Sequence, residues 1–565
     1  MTKPFKILFV NFPTIPMHEV DLILAKKNAM PHTMVIPLGI LYLSSNLKSK
    51  VQNVEVRVLD YLREVKTNPE RYSDSAEMIR VLAGEMAGEF TPDLICYSML
   101  FSIIHPFFNA AATAHKKIWP KARLVAGGNH TTNAVNAVMD HPDLDYAARG
   151  ECDFAFPEFV RQLQKGDVPQ VQGIYSRTHV EDRLPMPLAD NPKNLDDLSF
   201  PDWDLLDIYS YIKADKGRAT WRDEEHQETR EISIMTTRGC PFSCTFCAAH
   251  TTMGRKMRYR SDDSVIAEMR ELNEKYGINL YIPEDDLFTA NRKKVISLLQ
   301  EINKFGRNIP NFEIQFPNAL SVNTLFDDVM DALIEAGMQT TNVAIESGSP
   351  YVQRKIIKKN VKLDRAVEVV KYFRDRNVHV RCFFIAGFPK ETREMIEETI
   401  QYARNLKSDW ASFSIAVPLR GSEMYDQFIE LGHIKDDISM WSTAIFRERL
   451  FDTPEISAED LKELMYTANL EVNFLNNPNY IDQNWEKSID LFKSMARDYP
   501  FQIFGWYMLM KSYEGAGHAE KAHAAEQKIY DWIEKDERAA DIYHKYGHYL
   551  EAINYNSAGA QALTN

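Results

Sequence analysis

Three of the six cysteines fall in the run R-G-C-P-F-S-C-T-F-C-A-A-H, as Cys240, Cys244 and Cys247 at C-x3-C-x2-C spacing. Three thiolates this close hold three irons of a cubane cluster and leave the fourth iron open to a small ligand, which a closed four-cysteine site does not offer. Gly239 frees the backbone ahead of the first cysteine, Pro241 stiffens it, and Phe242 and Phe246 supply apolar cover. A zinc site would need a fourth ligand, for which His250 is the only near candidate, and the three-residue first gap departs from the two-residue gap of most zinc knuckles. Disulfides among residues this close do not suit a chain with no secretory signal.

The elements that must position these thiolates can be read from the periodicity that follows. Apolar, β-branched or aromatic runs recur at 232–236, 278–282, 312–316, 341–345, 379–386 and 410–417, separated by charged, amphipathic stretches such as 264–275 and 292–304. Strands alternating with helices predict a parallel sheet covered on both faces. Six such units predict a partial barrel, whose chemistry belongs at the carboxyl ends of the strands. Polar residues punctuate those ends. The cysteine run follows the first strand, and Pro283-Glu284-Asp285-Asp286 ends the second. Glu346-Ser347-Gly348-Ser349 ends the fourth, Gly387-Phe388-Pro389-Lys390-Glu391-Thr392 the fifth, and Pro418-Leu419-Arg420-Gly421-Ser422 the sixth. The three carboxylates Glu284, Asp285 and Asp286 suit an ammonium or ribose hydroxyls; a helix dipole would favour an acidic turn there as well.

Together these motifs resemble the radical S-adenosylmethionine (SAM) superfamily. The resemblance implies a 4Fe–4S cluster on Cys240, Cys244 and Cys247, whose open iron chelates the amino and carboxylate groups of SAM. Reductive cleavage of SAM then yields methionine and a 5'-deoxyadenosyl radical. By the same resemblance Glu346 and Ser347 lie beside SAM with Glu284, Asp285 and Asp286, and the G-F-P turn shapes the adenine-side wall. An electron donor such as flavodoxin or ferredoxin is implied too.

Ahead of the barrel, strands are expected at 6–10, 54–60, 93–98, 122–127 and 146–149, with a helix at 38–47. This α/β stretch resembles the doubly wound, Rossmann-like cobalamin-binding domain of one large class within that superfamily. The P-L-G-I-L-Y-L helix, the Gly127-Gly128-Asn129-His130-Thr131 turn and the R-G-E turn at 149–151 carry the likeness. In such folds the ligand lies beyond the carboxyl ends of the strands, which points to residues 11–14, 98–101 and 127–131, with Ser98, Gly127, Gly128 and Asn129 singled out. No D-x-H-x-x-G signature occurs in this region, so the resemblance implies cobalamin without a protein ligand on its lower face; His130 is read as a satisfied turn histidine.

The fold class is therefore α/β: a cobalamin-binding Rossmann-like domain over 1–165, a connector over 166–229, a partial (β/α)6 radical SAM barrel over 230–435 and an α-helical, tetratricopeptide-like C-terminal domain over 436–565. That last region could meet a protein partner or buttress the barrel. The net charge of −14 argues against nucleic acid. No apolar run is long enough to span a bilayer, and the cysteines form no even disulfide framework, which places the chain in the cytoplasm. Cys96, Cys152 and Cys382 are dispersed singly, so no second cysteine-ligated cluster is expected. The expected function is a cobalamin-dependent radical SAM enzyme, foremost a methyltransferase at an unactivated carbon. A cyclase or oxidative enzyme of the same architecture and a non-catalytic iron–sulfur or cobalamin-binding regulator are the alternatives. Small-molecule, lipid, tetrapyrrole and peptide substrates stay open.

Overall fold

The computed structural model describes residues 3–26, 34–214, 229–441 and 449–550. The first sheet contains β1 (Phe5–Asn11), β2 (Val54–Asp60), β3 (Leu94–Ser98), β4 (Arg123–Gly127), β5 (Tyr146–Ala148) and β6 (Ile174–Ser176), in spatial order 2-1-3-4-5-6. The first five are parallel and β6 joins antiparallel. β6 carries this sheet to Ser176, beyond residue 165. Its central strands read as continuous apolar runs because helices bury both faces; Ile7, Leu8 and Val10 of β1 are fully enclosed. The chain moves one way from β1 to β2 and the other way from β1 to β3. The crevice at this reversal opens at the carboxyl ends of β1 and β3.

The second unit contains β7 (Glu231–Ile234), β8 (Thr237–Arg238), β9 (Arg258–Tyr259), β10 (Leu280–Pro283), β11 (Glu313–Ile314), β12 (Phe316–Ser321), β13 (Thr340–Glu346), β14 (His379–Ala386) and β15 (Trp410–Ile415). Five of the six expected strands lie where the periodicity put them. The third, expected at 312–316, is divided at Gln315. β11 closes a three-strand arc with β10 and β7, while β12 opens a four-strand arc with β13, β14 and β15. Pro317 lacks a ladder donor, and Ala319 takes φ +72°, so the register slips between Phe316 and Leu320. Both arcs are parallel, and among the described residues β7 and β15 do not pair with each other. The result is a partial barrel of six βα units.

Alternation along β14 decides what faces the lumen. Val380, Cys382 and Phe384 pack outward with Val370 and Phe373, leaving Phe383 and Ile385 on the half-exposed inner side. Cys382 is thus a core residue, as are buried Cys96 and Cys152.

The open edge at β15 is covered by the helical region. The Asn473 side chain accepts from the Ala411 N–H at 2.7 Å and donates to the Ala411 carbonyl at 2.6 Å, acting as one rung of a missing strand. Asn477 and Asn479 extend this onto Asp409. Beyond them, helices Trp485–Asp498, Ile503–Gly515, Ala519–Lys535 and Glu537–Tyr546 form their own apolar cluster. The sequence pattern also predicts a last helix over 538–554; the helix observed, Glu537–Tyr546, is followed by a single 3-10 turn, and residues 551–554 lie outside the described ones. The connector ties the two α/β units: Asp202 meets Lys48 at 2.6 Å on one side, and Asp204 accepts from Tyr276 at 3.0 Å on the other.

Candidate active site

The cysteine loop is held at its base and at its middle. At the base, β8 pairs antiparallel with β9. Gly239 turns there at φ +96°, where a Cβ would lie 2.5 Å from the Lys256 carbonyl oxygen, so glycine alone fits. In the middle, the Thr245 N–H donates to Ile357 O at 3.1 Å, its hydroxyl donates to Ile356 O at 3.0 Å, and its carbonyl accepts from Met424 N at 2.8 Å. Phe246 packs on Phe388 with ring centroids 5.9 Å apart. Cys240, Cys244 and Cys247 remain half-buried and unbridged.

Burial raises all three thiols, Cys244 to about 11; Lys359 acts on each as a lowering charge, and Asp286 or Glu346 as a raising one. Three thiols, two carboxylates and one ammonium therefore share a single mouth. Among the described residues no three His, Cys, Asp or Glu side chains converge on one point as ligands to a single ion.

The strand-end carboxylates have different employments. Glu284 accepts from Ser233 Oγ at 2.6 Å and Asn318 Nδ2 at 2.5 Å, across the lumen side of β7 and β12. Asp285 turns inward to accept from the N–H groups of Thr236 and Thr237, at 2.7 and 3.0 Å, and from the Thr236 hydroxyl. Burial lifts its carboxyl to about 6. Its side chain stitches β7 to β10 rather than facing a ligand, contrary to expectation. Asp286 is accessible at the mouth but ringed by protein, which raises its carboxyl, while the Gly239 N–H bonds it. Successive residues on a strand end point to opposite sides, so one acidic triplet does two jobs.

At the end of β13, Glu346 sits at φ +71°, a costly conformation for a non-glycine residue, and pairs with Lys359 at 2.6 Å. Ser347 is fully enclosed: its hydroxyl bonds Thr399 Oγ1 at 2.9 Å and accepts from Ser349 N at 3.1 Å. Its side chain fixes the turn. Gln353 braces the same turn, donating to Ile345 O and Ser347 O, each at 2.7 Å. In the G-F-P turn, Glu391 accepts from Gly387 N at 2.6 Å and Phe388 N at 3.0 Å, and burial raises its carboxyl to about 7. Lys359 was missed by sequence reasoning. Thirteen residues past Glu346, in the run K-K-N, it carries no motif.

The crevice edge of the first sheet is of another kind. Ser98 and Gly127 lie opposite each other in register. Gly128 turns at φ +102°, where a Cβ would lie 2.5 Å from the Met99 carbonyl oxygen. Leu100 and Phe101 are 46% and 41% exposed beside them, an apolar ledge without a formal charge of its own. His130 is buried and bonded to His105 at 2.8 Å and Ser102 at 2.9 Å, and burial pulls the two imidazoles down to about 3 and about 4, respectively. Asn129 is engaged by the Thr252 hydroxyl, and Asn133 donates to Thr251 at 2.9 Å, so this turn abuts the helix that follows the cysteine loop.

Beneath that contact is a buried seam that the motifs did not foretell. Arg238, just before the cysteine loop, pairs with Glu151 at 2.6 Å and Asp153 at 2.7 Å, and Arg258 joins Glu151 at 2.5 Å. The R-G-E turn of one domain is thereby locked to the root of the cysteine loop in the other.

Comparisons with known proteins agree with this geometry. The radical SAM superfamily model matches residues 234–403. A protein of Pyrococcus horikoshii described as an uncharacterized methyltransferase is 32% identical over 399 residues, 70% of this chain and 78% of the relative. The cytidylyl-2-hydroxyethylphosphonate methyltransferase of Streptomyces wedmorensis is 26% identical over 79% of this chain and 88% of its own length. Among solved structures, the radical SAM methyltransferase TsrM from Kitasatospora setae, with cobalamin and a 4Fe–4S cluster bound, superposes with a TM-score of 0.58 at 16% identity, covering 77% of this chain and 76% of that one. The chain belongs to the radical SAM superfamily, and its fold sets a doubly wound α/β domain before the barrel. It is an enzyme, and Cys240, Cys244 and Cys247 are free, half-buried thiols.

Proposed function

We propose that this enzyme methylates an unactivated carbon of a small substrate, using SAM, a 4Fe–4S cluster and cobalamin. When bound, these groups supply one-electron cleavage of SAM and a transferable methyl group. The observation that carries the reading is the meeting of the charged cysteine mouth with the uncharged ledge through the Asn129–Thr252 and Asn133–Thr251 contacts.

The chain's own residues have distinct tasks. Cys240, Cys244 and Cys247 would hold the cluster. Asp286 and Glu346 face the mouth and suit the ammonium and hydroxyl groups of SAM, with Glu284 held deeper by Ser233 and Asn318. Leu100, Phe101, Gly127 and Gly128 offer a flat, partly apolar seat for a corrin ring, with Ser98 and Asn129 at its polar edge. Phe383 and Ile385 line the lumen where a substrate would be kept from water, and Glu391 keeps the turn above them in shape.

The test is anaerobic reconstitution with iron, sulfide and cobalamin, followed by reduction with SAM. Visible and electron paramagnetic resonance spectra are recorded while 5'-deoxyadenosine and S-adenosylhomocysteine are quantified. Both products, with cobalamin bound, are the expected result. Deoxyadenosine with a candidate substrate converted but never methylated would move the reading to ring closure or oxidation. A fully loaded cluster that neither binds nor cleaves SAM would make the chain a regulator.

A further inference from the structure

Lys359 and Glu346 form a salt bridge of 2.6 Å in which both side chains are 8% exposed. Enclosing two charges is expensive, and such a pair adds little net stability over apolar packing. Here the expense is compounded by the φ of +71° at Glu346. Burial and strain at a single point call for a reason other than stability.

The surroundings supply one. Gln353 holds both partners: its amide N–H groups bond the carbonyls on either side of Glu346, while its Oε1 accepts from Val361 N at 3.1 Å and its own carbonyl accepts from Asn360 N at 3.2 Å. Asn323 donates to the Lys359 carbonyl at 3.2 Å. The ammonium is therefore fixed, and the turn that carries it is bonded to the cysteine loop: Thr245, next to Cys244, donates to the Ile356 and Ile357 carbonyls at 3.0 and 3.1 Å, three and two residues before Lys359. Glu346 meets it from the end of β13.

A cluster's reduction potential depends on nearby charge, because adding one electron is easier beside a cation and harder beside an anion. We infer that the Lys359–Glu346 pair sets the reduction potential of the three-thiolate site, Lys359 favouring the reduced cluster and Glu346 restraining it. In this role both act through charge alone, since neither supplies a thiolate, and the inference rests on the cysteines being cluster ligands. Reduction takes one electron from an external low-potential donor, with no bond made or broken in the protein.

The pair makes a test by sign. Full-length protein with reconstituted cluster is titrated against redox mediators and followed by visible and electron paramagnetic resonance spectra, with iron and sulfide measured in each sample. Lys359→Met leaves Glu346 uncompensated and shifts the midpoint negative. Glu346→Gln leaves Lys359 uncompensated and shifts it positive. The double variant falls between the two, and Lys359→Arg stays near the parent. Single variants that move together, or not at all, at parental iron content overturn the inference. Should Lys359→Met hold no cluster, the Glu346→Gln shift decides alone: positive supports the inference, zero or negative overturns it. A parent chain that binds no iron under any reconstitution defeats the cluster reading itself, and the inference with it; iron analysis separates that from a failure of sign.

Discussion

The cysteine mouth of the barrel and the crevice edge of the first sheet lie side by side but are built on opposite principles. The mouth concentrates ionisable groups: three thiols raised by burial, with Asp286, Glu346 and Lys359 among the charges that act on them. The ledge has no formal charge on Ser98, Leu100, Phe101, Gly127, Gly128 or Asn129, and exposes two large apolar side chains. Charge in a low-dielectric site tunes electron transfer and grips a zwitterion, whereas a flat apolar seat holds a large ring by area and shape. The seam of Arg238, Glu151, Asp153 and Arg258 lets the two coexist, since its own charges are satisfied internally and add little net field to either side.

That contrast can be broken most completely at the mouth. Cys244→Ala is expected to abolish the site-specific cluster and bring 5'-deoxyadenosine to background while cobalamin binding persists, checked by iron content, product analysis and the cobalamin spectrum. Loss of cobalamin together with iron would mean that the two regions are not separable. At the seam, Arg238→Met strands Asp153 and leaves Glu151 to Arg258 alone, and should cost about 3–5 kcal/mol in chemical denaturation. A change near zero would show that the seam relaxes into water.

On the ledge, replacing Leu100 and Phe101 together with Asp should weaken cobalamin at least about tenfold, the worth of burying one large apolar side chain, with SAM cleavage retained; titration of the cobalamin spectrum measures it. Retention of full affinity would move the seat elsewhere.

A smaller effect belongs to Glu391, whose carboxyl is raised to about 7 in the folded chain against about 4.3 in an unfolded one. The native state then binds the proton more tightly. Its contribution to stability is complete below the unfolded value and is lost as pH rises through about 7. Glu391→Gln should flatten stability between about pH 4 and 7, as read from denaturation midpoints across that range. The least effect is expected from Cys382→Ala, a core truncation worth about 1 kcal/mol with iron content unchanged.

Much of the architecture was legible because it rests on short-range pattern. Five strands of the first sheet and five of the six barrel strands follow from apolar runs bounded by polar ends. The divided third strand was not legible, since Pro317 and the positive φ of Ala319 matter only once neighbours fix the register. Within the site, spacing alone singled out the three cysteines. Sequence could not tell that Asp285 and Ser347, at the ends of their strands, turn their side chains into the framework.

By itself, then, the sequence determined the cysteine loop, the alternation of strands and helices and the two-domain order, because hydrophobic period and ligand spacing are local properties. Only the tertiary structure decided which carboxylates face the mouth, that Lys359 answers Glu346, and that Arg238 reaches residues 85 and 87 positions away in another domain. Those pairings depend on side-chain direction and on which buried charges lose water together, and neither exists until the barrel and the first sheet have closed on each other.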